Sequence, residues 1–301
     1  MSSPPDTPAA RPRVGYLGPA GTFSEEALLD SAVADAVEPV ALASIYDTVA
    51  ALRRGEVAFA IVPIENSLEG SINVTLDLLA GEATDVKIVG EALLRVRHSL
   101  IGAADIALAE IDTVVTHPHV PGQCTRFLRS ELPRARVLPA SSTAEAVRAV
   151  VAGGEPGQAA IGTLLAAKIY GGTVIRERVE DREDNETRFV WLARQASGAG
   201  ELARPPLRAG ADAARKTSLV FWGAGAERPG WLVRCLDEFA SRHINLTKIE
   251  SRPRREGLGS YMFFVDLAGR AEDGAVAAAI AQIENSCEQV LVLGSYAVAP
   301  R

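Results

Sequence analysis

Residues 181–194 read DREDNETRFVWLAR, an acidic stretch that turns abruptly into a run suited to a protein interior. Asp181, Asp184 and Glu186 fit a solvated loop, whereas Phe189, Val190, Trp191 and Leu192 fit a strand inside a sheet. Between them stand Thr187 and Arg188, a hydroxyl and a fixed cation where the backbone enters the core. Local rules explain both modestly: Thr187 starts a strand and Arg188 pairs with a nearby carboxylate. Any larger role has to come from the rest of the chain.

Upstream, short apolar runs alternate with amphipathic helices. RVGYLG (13–18), FAIVP (59–63), VKIVGEALLRV (86–96), TVVTH (113–117), RVLPA (136–140) and AAIG (159–162) read as strands, with RFVWLA (188–193) as the last. SEEALLDSAVADAV (24–37), SIYDTVAALRRG (44–55), STAEAVRAVVAGG (142–154) and GTLLAAKIYGG (162–172) read as helices. Gly55, Gly153 and Gly171 are placed to supply the left-handed residue that ends a helix. This alternation predicts an α/β domain with a mostly parallel sheet.

RQASGAGELARPPLRAGADAARK (194–216) is rich in Ala, Gly and Pro without apolar periodicity and reads as a linker. The segment after it is shorter and differently ordered. Strand, helix, two strands, helix and strand follow one another, the βαββαβ pattern of a ferredoxin-like unit.

The 301 residues carry a formal charge of −7, which argues against a general nucleic-acid partner but leaves room for a local anion site. Cys124, Cys235 and Cys287 are odd in number and lack metal-ligand spacing, pointing to a reducing compartment without a disulfide framework. The first 13 residues lack the apolar core of a secretory signal, and no apolar run reaches membrane-spanning length. A cytoplasmic protein without membrane contact is expected. His117 and His119 have no matching ligands nearby, so no metal is expected, and no other cofactor.

Polar stretches follow the strands: GPAGTFS (18–24), IENSLEGSIN (64–73), HPHVPGQCT (117–125), SSTAE (141–145) and GT (162–163). Ligands of open α/β sheets bind outside the carboxyl ends of strands. Thr22 with Glu25, and Ser142 with Glu145, fit the capping box, and Ser44 with Asp47 is a close variant. Helix starts of this kind also suit anions, so a small ligand with carboxylate or phosphate groups is expected.

GYLGPAGTFSEEA, VPIENSLEGSINVTLDLL, THPHVPGQC, SSTAEAV and NETRFVWLAR together resemble the prephenate dehydratases, in that order and with similar spacing. GWLVRCLDEFASRHINLTKIESRP resembles the ACT regulatory domain joined to them. The resemblance covers about residues 13 to 297. It implies a catalytic domain at 13–194, built like type 2 periplasmic binding proteins from two lobes, 13–92 plus 175–194 and 93–174. A linker at 195–215 and a βαββαβ ACT domain at 216–297 would follow. No mutase-like segment precedes residue 13, so a monofunctional enzyme is expected.

The implied reaction converts prephenate to phenylpyruvate with loss of water and carbon dioxide, under feedback by L-phenylalanine. Thr187 would donate to the departing hydroxyl, Arg188 would anchor a carboxylate, and Phe189 would pack behind them. Glu65 and Asn66 would complete the catalytic set, with Glu65, His117 or the substrate itself as the proton reserve. Thr22, Ser67, Ser71, Thr116, Gln123, Ser142, Thr143 and Thr163 would give the substrate uncharged hydrogen bonds. Gly230, Trp231 and Leu232, with Asn245, Leu246, Glu250, Ser251 and Arg252, would line an effector pocket shared in a homodimer or homotetramer. Two departures from the family pattern stand out: Ala140 replaces a carboxylate found in some relatives, and the stretch usually written GALV reads Gly230-Trp231-Leu232-Val233. Arogenate dehydration and a catalytically idle amino-acid sensor are the alternative readings.

Overall fold

A computed structural model describes residues 11–195, 202–208, 213–223, 228–257 and 259–300. The chain opens with β1 (Arg13–Leu17), α1 (Phe23–Ser31), β2 (Glu38–Leu42), α2 (Ile45–Arg54) and β3 (Phe59–Asn66). The two-residue β4 (Gly70–Ser71), α3 (Asn73–Ala80), β5 (Val86–Arg95), β6 (Ser99–Gly102) and β7 (Thr113–Thr116) come next. Then follow α4 (Val120–Gln123), α5 (Thr125–Glu131), β8 (Arg136–Pro139), α6 (Thr143–Gly153), β9 (Gln158–Gly162) and α7 (Leu164–Tyr170). β10 (Thr173–Arg176) and β11 (Glu186–Arg194) close the first part. The tail holds β12 (Arg215–Trp222), α8 (Trp231–Ala240), β13 (Leu246–Pro253), β14 (Tyr261–Ala268), α9 (Gly274–Glu284) and β15 (Gln289–Ala297).

Two compact units are formed. The first comprises the described parts of Met1–Ile61, Arg97–Glu183 and Pro206–Arg208. In it β1 pairs in parallel with β2 and with the start of β3, Gly15 facing Val40 and Ala60. A five-stranded sheet runs in the order β10-β6-β9-β7-β8. β7 is parallel to β8 and β9, while β6 is antiparallel to β9 and β10. Successive strand residues serve opposite faces, as the pleat requires. Leu100, Val114 and Ile161 pack with Val120, Cys124 and Leu132, whereas Ile101 and Ala160 pack with Ala144, Val147 and Val150 of α6. Three residues of the expected linker belong here: Leu207 bridges Ala32, and Arg208 Nε donates to the Ala32 carbonyl at 2.8 Å. Residues 196–201 and 209–212 of that linker lie outside the described residues.

The second unit comprises Val62–Val96, with the described parts of Asp184–Pro205 and Ala209–Arg301. β11 lies between β3 and β5 and is antiparallel to β5, with Thr187 opposite Leu94 and Arg188 opposite Leu93. The tail forms an antiparallel sheet, β13-β14-β12-β15. Its helices cover one face, where Leu219, Phe221, Val265 and Leu267 meet Trp231, Phe239, Val276 and Ile283. The other face carries polar side chains toward β5 and β11. β15 approaches β5 so closely that a Cβ on Gly294 would sit 2.1 Å from the Ile88 carbonyl oxygen, so only glycine fits.

Most expected elements form, with physical reasons for the exceptions. The helix expected over 24–37 stops at Ser31, because Ala32 turns extended and Asp35 takes a positive φ of 57°. Gly154 (φ 58°), not Gly153, is the left-handed residue closing α6, while Gly55 and Gly171 act as expected. β2, β6, β10, α3 and α5 are not apparent in the sequence as separate elements. The strands are only four or five residues long, and α3 follows directly on the polar IENSLEGS stretch. Among the described residues no helix is long and apolar enough to cross a membrane.

Candidate active site

Strand β3 ends at Asn66, and asparagine at such a point can bond its own backbone two or three residues on. Its Oδ1 accepts from the backbone N–H groups of Leu68 and Glu69, both at 2.9 Å. Those two bonds settle which end of the amide points where. Nδ2 therefore faces β11 and donates to Asn185 Oδ1 and to Thr187 Oγ1, each at 2.9 Å. Because the Thr187 oxygen accepts this bond, its hydroxyl hydrogen remains available to donate elsewhere. Thr187 is 9% exposed. Ser67 tightens the same corner, accepting from Glu186 N at 3.0 Å and donating to Asn185 Oδ1 at 3.3 Å. Phe189 is buried and packs, as expected.

Arg188 is held by the protein itself. The sequence suggests a carboxylate anchor, but its guanidinium is buried and committed to protein partners. Nε donates to Glu91 Oε2 (2.8 Å), Nη1 to Asp266 Oδ2 (2.6 Å) and Nη2 to Tyr296 Oη (2.6 Å). Lys216 Nζ adds a second cation at 2.9 Å from Glu91, and Ala299 N donates to the same carboxylate. Ser218 Oγ bonds both Asp266 and Tyr296. Burial by itself would weaken the guanidinium's hold on its proton, but Tyr296, Asp266 and Glu91 outweigh it and raise the pKa. Burial with Asp266 nearby likewise raises the Tyr296 phenol. The arrangement is an ion-pair cluster fastening β11 to β5, β14 and β15, which is the modest role that local rules assign to Arg188.

In the first unit several expected ligand groups are also engaged by the fold. Thr116 is fully buried and donates to the Ile161 carbonyl (2.8 Å), fastening β7 to β9. Thr163 donates to Gly21 O (2.6 Å) and caps α7 through Ala166 N (2.9 Å). Thr22 donates to Leu17 O at 2.9 Å rather than capping α1, and Glu25 accepts from Gly21 N. Ser142 caps α6 through Glu145 N at 3.0 Å, with Thr143 buried beside it. His117 stands edge-on to His119, and burial lowers its pKa. Gln123 is held by a residue the sequence does not single out: His98, 1% exposed, whose Nε2 lies 3.0 Å from Gln123 Oε1. Burial lowers the His98 pKa despite Gln123 and Glu180.

In the tail, a cavity of about 440 Å³ is lined by Arg228–Val233, Gly259, Tyr261 and Phe263, and so contains Gly230, Trp231 and Leu232. Gly230 takes φ 78° at the start of α8. The indole of Trp231 turns inward between Phe221 and Phe263 and donates to Ser286 O at 2.8 Å. Asn245, Leu246, Glu250, Ser251 and Arg252 do not line this cavity. Alternation along β13 turns Glu250 and Arg252 to the helix-free face, where Arg252 Nη2 meets Asp77 at 3.0 Å. Leu246 packs on the helix side, and Asn245 and Ser251 are exposed.

A family model described as prephenate dehydratase matches residues 14–197, and one described as the ACT domain matches 225–285. The chain belongs to the prephenate dehydratase family. The prephenate dehydratase of Mycolicibacterium vanbaalenii is 40% identical over 298 residues, covering 95% of this chain and 91% of that protein. The solved structure of the prephenate dehydratase of Arthrobacter aurescens in complex with L-Phe is 35% identical (TM-score 0.81), covering 95% of this chain and 90% of that one. GqqA, described as a novel type of quorum quenching acylase, is 27% identical with a TM-score of 0.81, covering 96% of this chain and 98% of that one.

Proposed function

We propose that this chain converts prephenate to phenylpyruvate, releasing water and carbon dioxide, and that phenylalanine held by the tail domain regulates the rate. The observation that carries the reading is the polarity of the Asn66–Thr187 bond, which leaves a hydroxyl hydrogen aimed away from the amide. Prephenate becomes aromatic as its hydroxyl and carboxylate leave, so the driving force is built into the substrate. The protein has to hold the dianion and help the hydroxyl depart. Thr187 is too weak an acid to act as a free proton donor, so it serves as a positioned hydrogen-bond donor. Glu65 or the substrate itself supplies the proton. The substrate's carboxylates are then held by uncharged side-chain donors and backbone N–H groups.

The tail cavity suits an amino acid: N–H groups at the start of α8 take a carboxylate, while Trp231, Tyr261 and Phe263 offer an aromatic wall. Pairing of tail domains between copies would make the cytoplasmic enzyme a homodimer or homotetramer. The fold alone does not select a reaction, since GqqA shares it under a different description. The test is the ultraviolet absorbance of phenylpyruvate after adding prephenate, with arogenate in parallel and phenylalanine titrated into each. Product from prephenate, falling or rising with phenylalanine, supports the proposal. Product only from arogenate, or none at all, rejects it.

A further inference from the structure

We propose that Lys248 of the tail domain is a positioning residue for the dehydration, holding Glu65 and, through it, the hairpin that presents Asn66 to Thr187. The inference rests on the reading of Thr187 as the hydroxyl donor. Along β13 the side chains alternate: Lys248, Glu250 and Arg252 are half-buried while Thr247, Ile249 and Ser251 are exposed. The register with β14, Lys248 opposite Asp266 and Glu250 opposite Phe264, puts the half-buried set on the helix-free face. There the Lys248 ammonium lies 2.9 Å from Ser71 Oγ, 3.2 Å from Glu65 Oε2 and 3.3 Å from Glu250 Oε2. Three partners match the three donors of an ammonium. Ser71 in turn donates to Glu250.

Two features make this more than a surface ion pair. The lysine side chain is only 12% exposed, so its charge is weakly screened. And its two partners outside the tail are register partners of each other: Glu65 faces Ser71, and Asn66 faces Gly70, in the β3–β4 hairpin. One ammonium therefore closes both sides of the hairpin whose last β3 residue orients Thr187. Glu65 sits between two cations, since Arg188 Nη1 lies 3.6 Å from the same oxygen. Removing the ammonium would leave Glu65 and Glu250 confronting each other as like charges across Ser71. The hairpin would then shift, and with it the amide that sets the polarity of the threonine. A displacement of about 1 Å in a positioned group is enough to cost roughly 10²-fold in rate.

The experiment uses the full chain, with steady-state phenylpyruvate formation and circular dichroism melting for Lys248→Met, Lys248→Arg, Glu65→Gln, the Glu65→Gln/Lys248→Met double variant and Thr187→Val. Lys248→Met is expected to lower kcat by roughly 10- to 100-fold with KM little changed. Lys248→Arg should restore most of the rate. The double variant should be no slower than the slower single variant, because both changes act through one contact. A folded Lys248→Met with wild-type kcat and KM overturns the proposal, as does a double variant whose losses simply multiply. Should Lys248→Met fail to fold, an inactive but folded Lys248→Arg overturns it and an active one supports it. Loss of turnover in Thr187→Val beside an unaffected Lys248→Met rejects the lysine and keeps the threonine. An active Thr187→Val rejects both.

Discussion

Asn66 Nδ2 and Thr187 Oγ1 lie 2.9 Å apart, and the amide is the donor. The direction follows from the two backbone N–H groups that occupy the other end of the amide, and it leaves the threonine hydrogen free for a ligand. Thr187→Val removes that hydrogen while keeping the β-branched shape that the strand favours. The variant is expected to fold normally and lose about 10²–10⁴-fold in kcat, whereas Thr187→Ser keeps a measurable part. Steady-state kinetics on both variants check this; a Val variant within a few-fold of wild type refutes the role.

Asn66→Asp tests the polarity rather than the presence of the bond. Aspartate can still accept from Leu68 N and Glu69 N, so the turn survives. Its second oxygen would face Thr187 Oγ1 and draw the hydroxyl hydrogen onto itself. Turnover is expected to fall nearly as far as in Thr187→Val, with circular dichroism unchanged. Wild-type turnover would mean that the threonine hydrogen is not used.

Arg188→Met separates anchoring from architecture. Glu91 and Asp266 are buried at 4% and 6% exposure and would lose their shared cation. Breaking one side of a buried pair typically costs about 3–5 kcal/mol, so the denaturation midpoint should fall sharply. KM for prephenate in the folded fraction should stay close to wild type. A large rise in KM at unchanged stability would return Arg188 to the substrate.

His98 makes stability depend on pH. Burial holds its folded pKa below the ordinary 6.5. Above pH 6.5 both states are neutral and the group contributes no slope. As pH falls below 6.5 the unfolded chain takes up a proton that the folded chain refuses, and stability is lost. Urea denaturation at pH 7.5 and 5.5 should show a smaller acid loss in His98→Gln than in wild type. An equal loss in both would show that His98 titrates freely.

Gly294→Ala is expected to lower the melting temperature, since no rotamer can relieve a Cβ 2.1 Å from a backbone oxygen on β5. A variant as stable as wild type would show that β15 and β5 are not held so close.

Much of the fold is legible in the order of residues alone. The strand at RFVWLA, the helix ends at Gly55 and Gly171, and the Ser44 and Ser142 caps rest on neighbours within a few residues, and periodicity and capping chemistry read such neighbours directly. The βαββαβ order of the tail is visible for the same reason. Thr187 stands out as a polar residue at the mouth of a buried strand. Asn185, two residues before it, passes as an ordinary loop residue, because nothing local says that an amide 119 positions away will need its oxygen.

Sequence by itself determined the longer strands and helices and which residue types cluster after the strands, because those follow from local sterics and the burial of one face. Tertiary structure alone decided what the charges do. Arg188 and Lys248 look alike in sequence, each a cation on a strand beside a polar motif. One is tied to Glu91, Asp266 and Tyr296 and the other to Glu65, Glu250 and Ser71. Most partners of each lie on strands far away in the chain, and a buried charge takes its role from the groups that neutralise it, which no local pattern encodes.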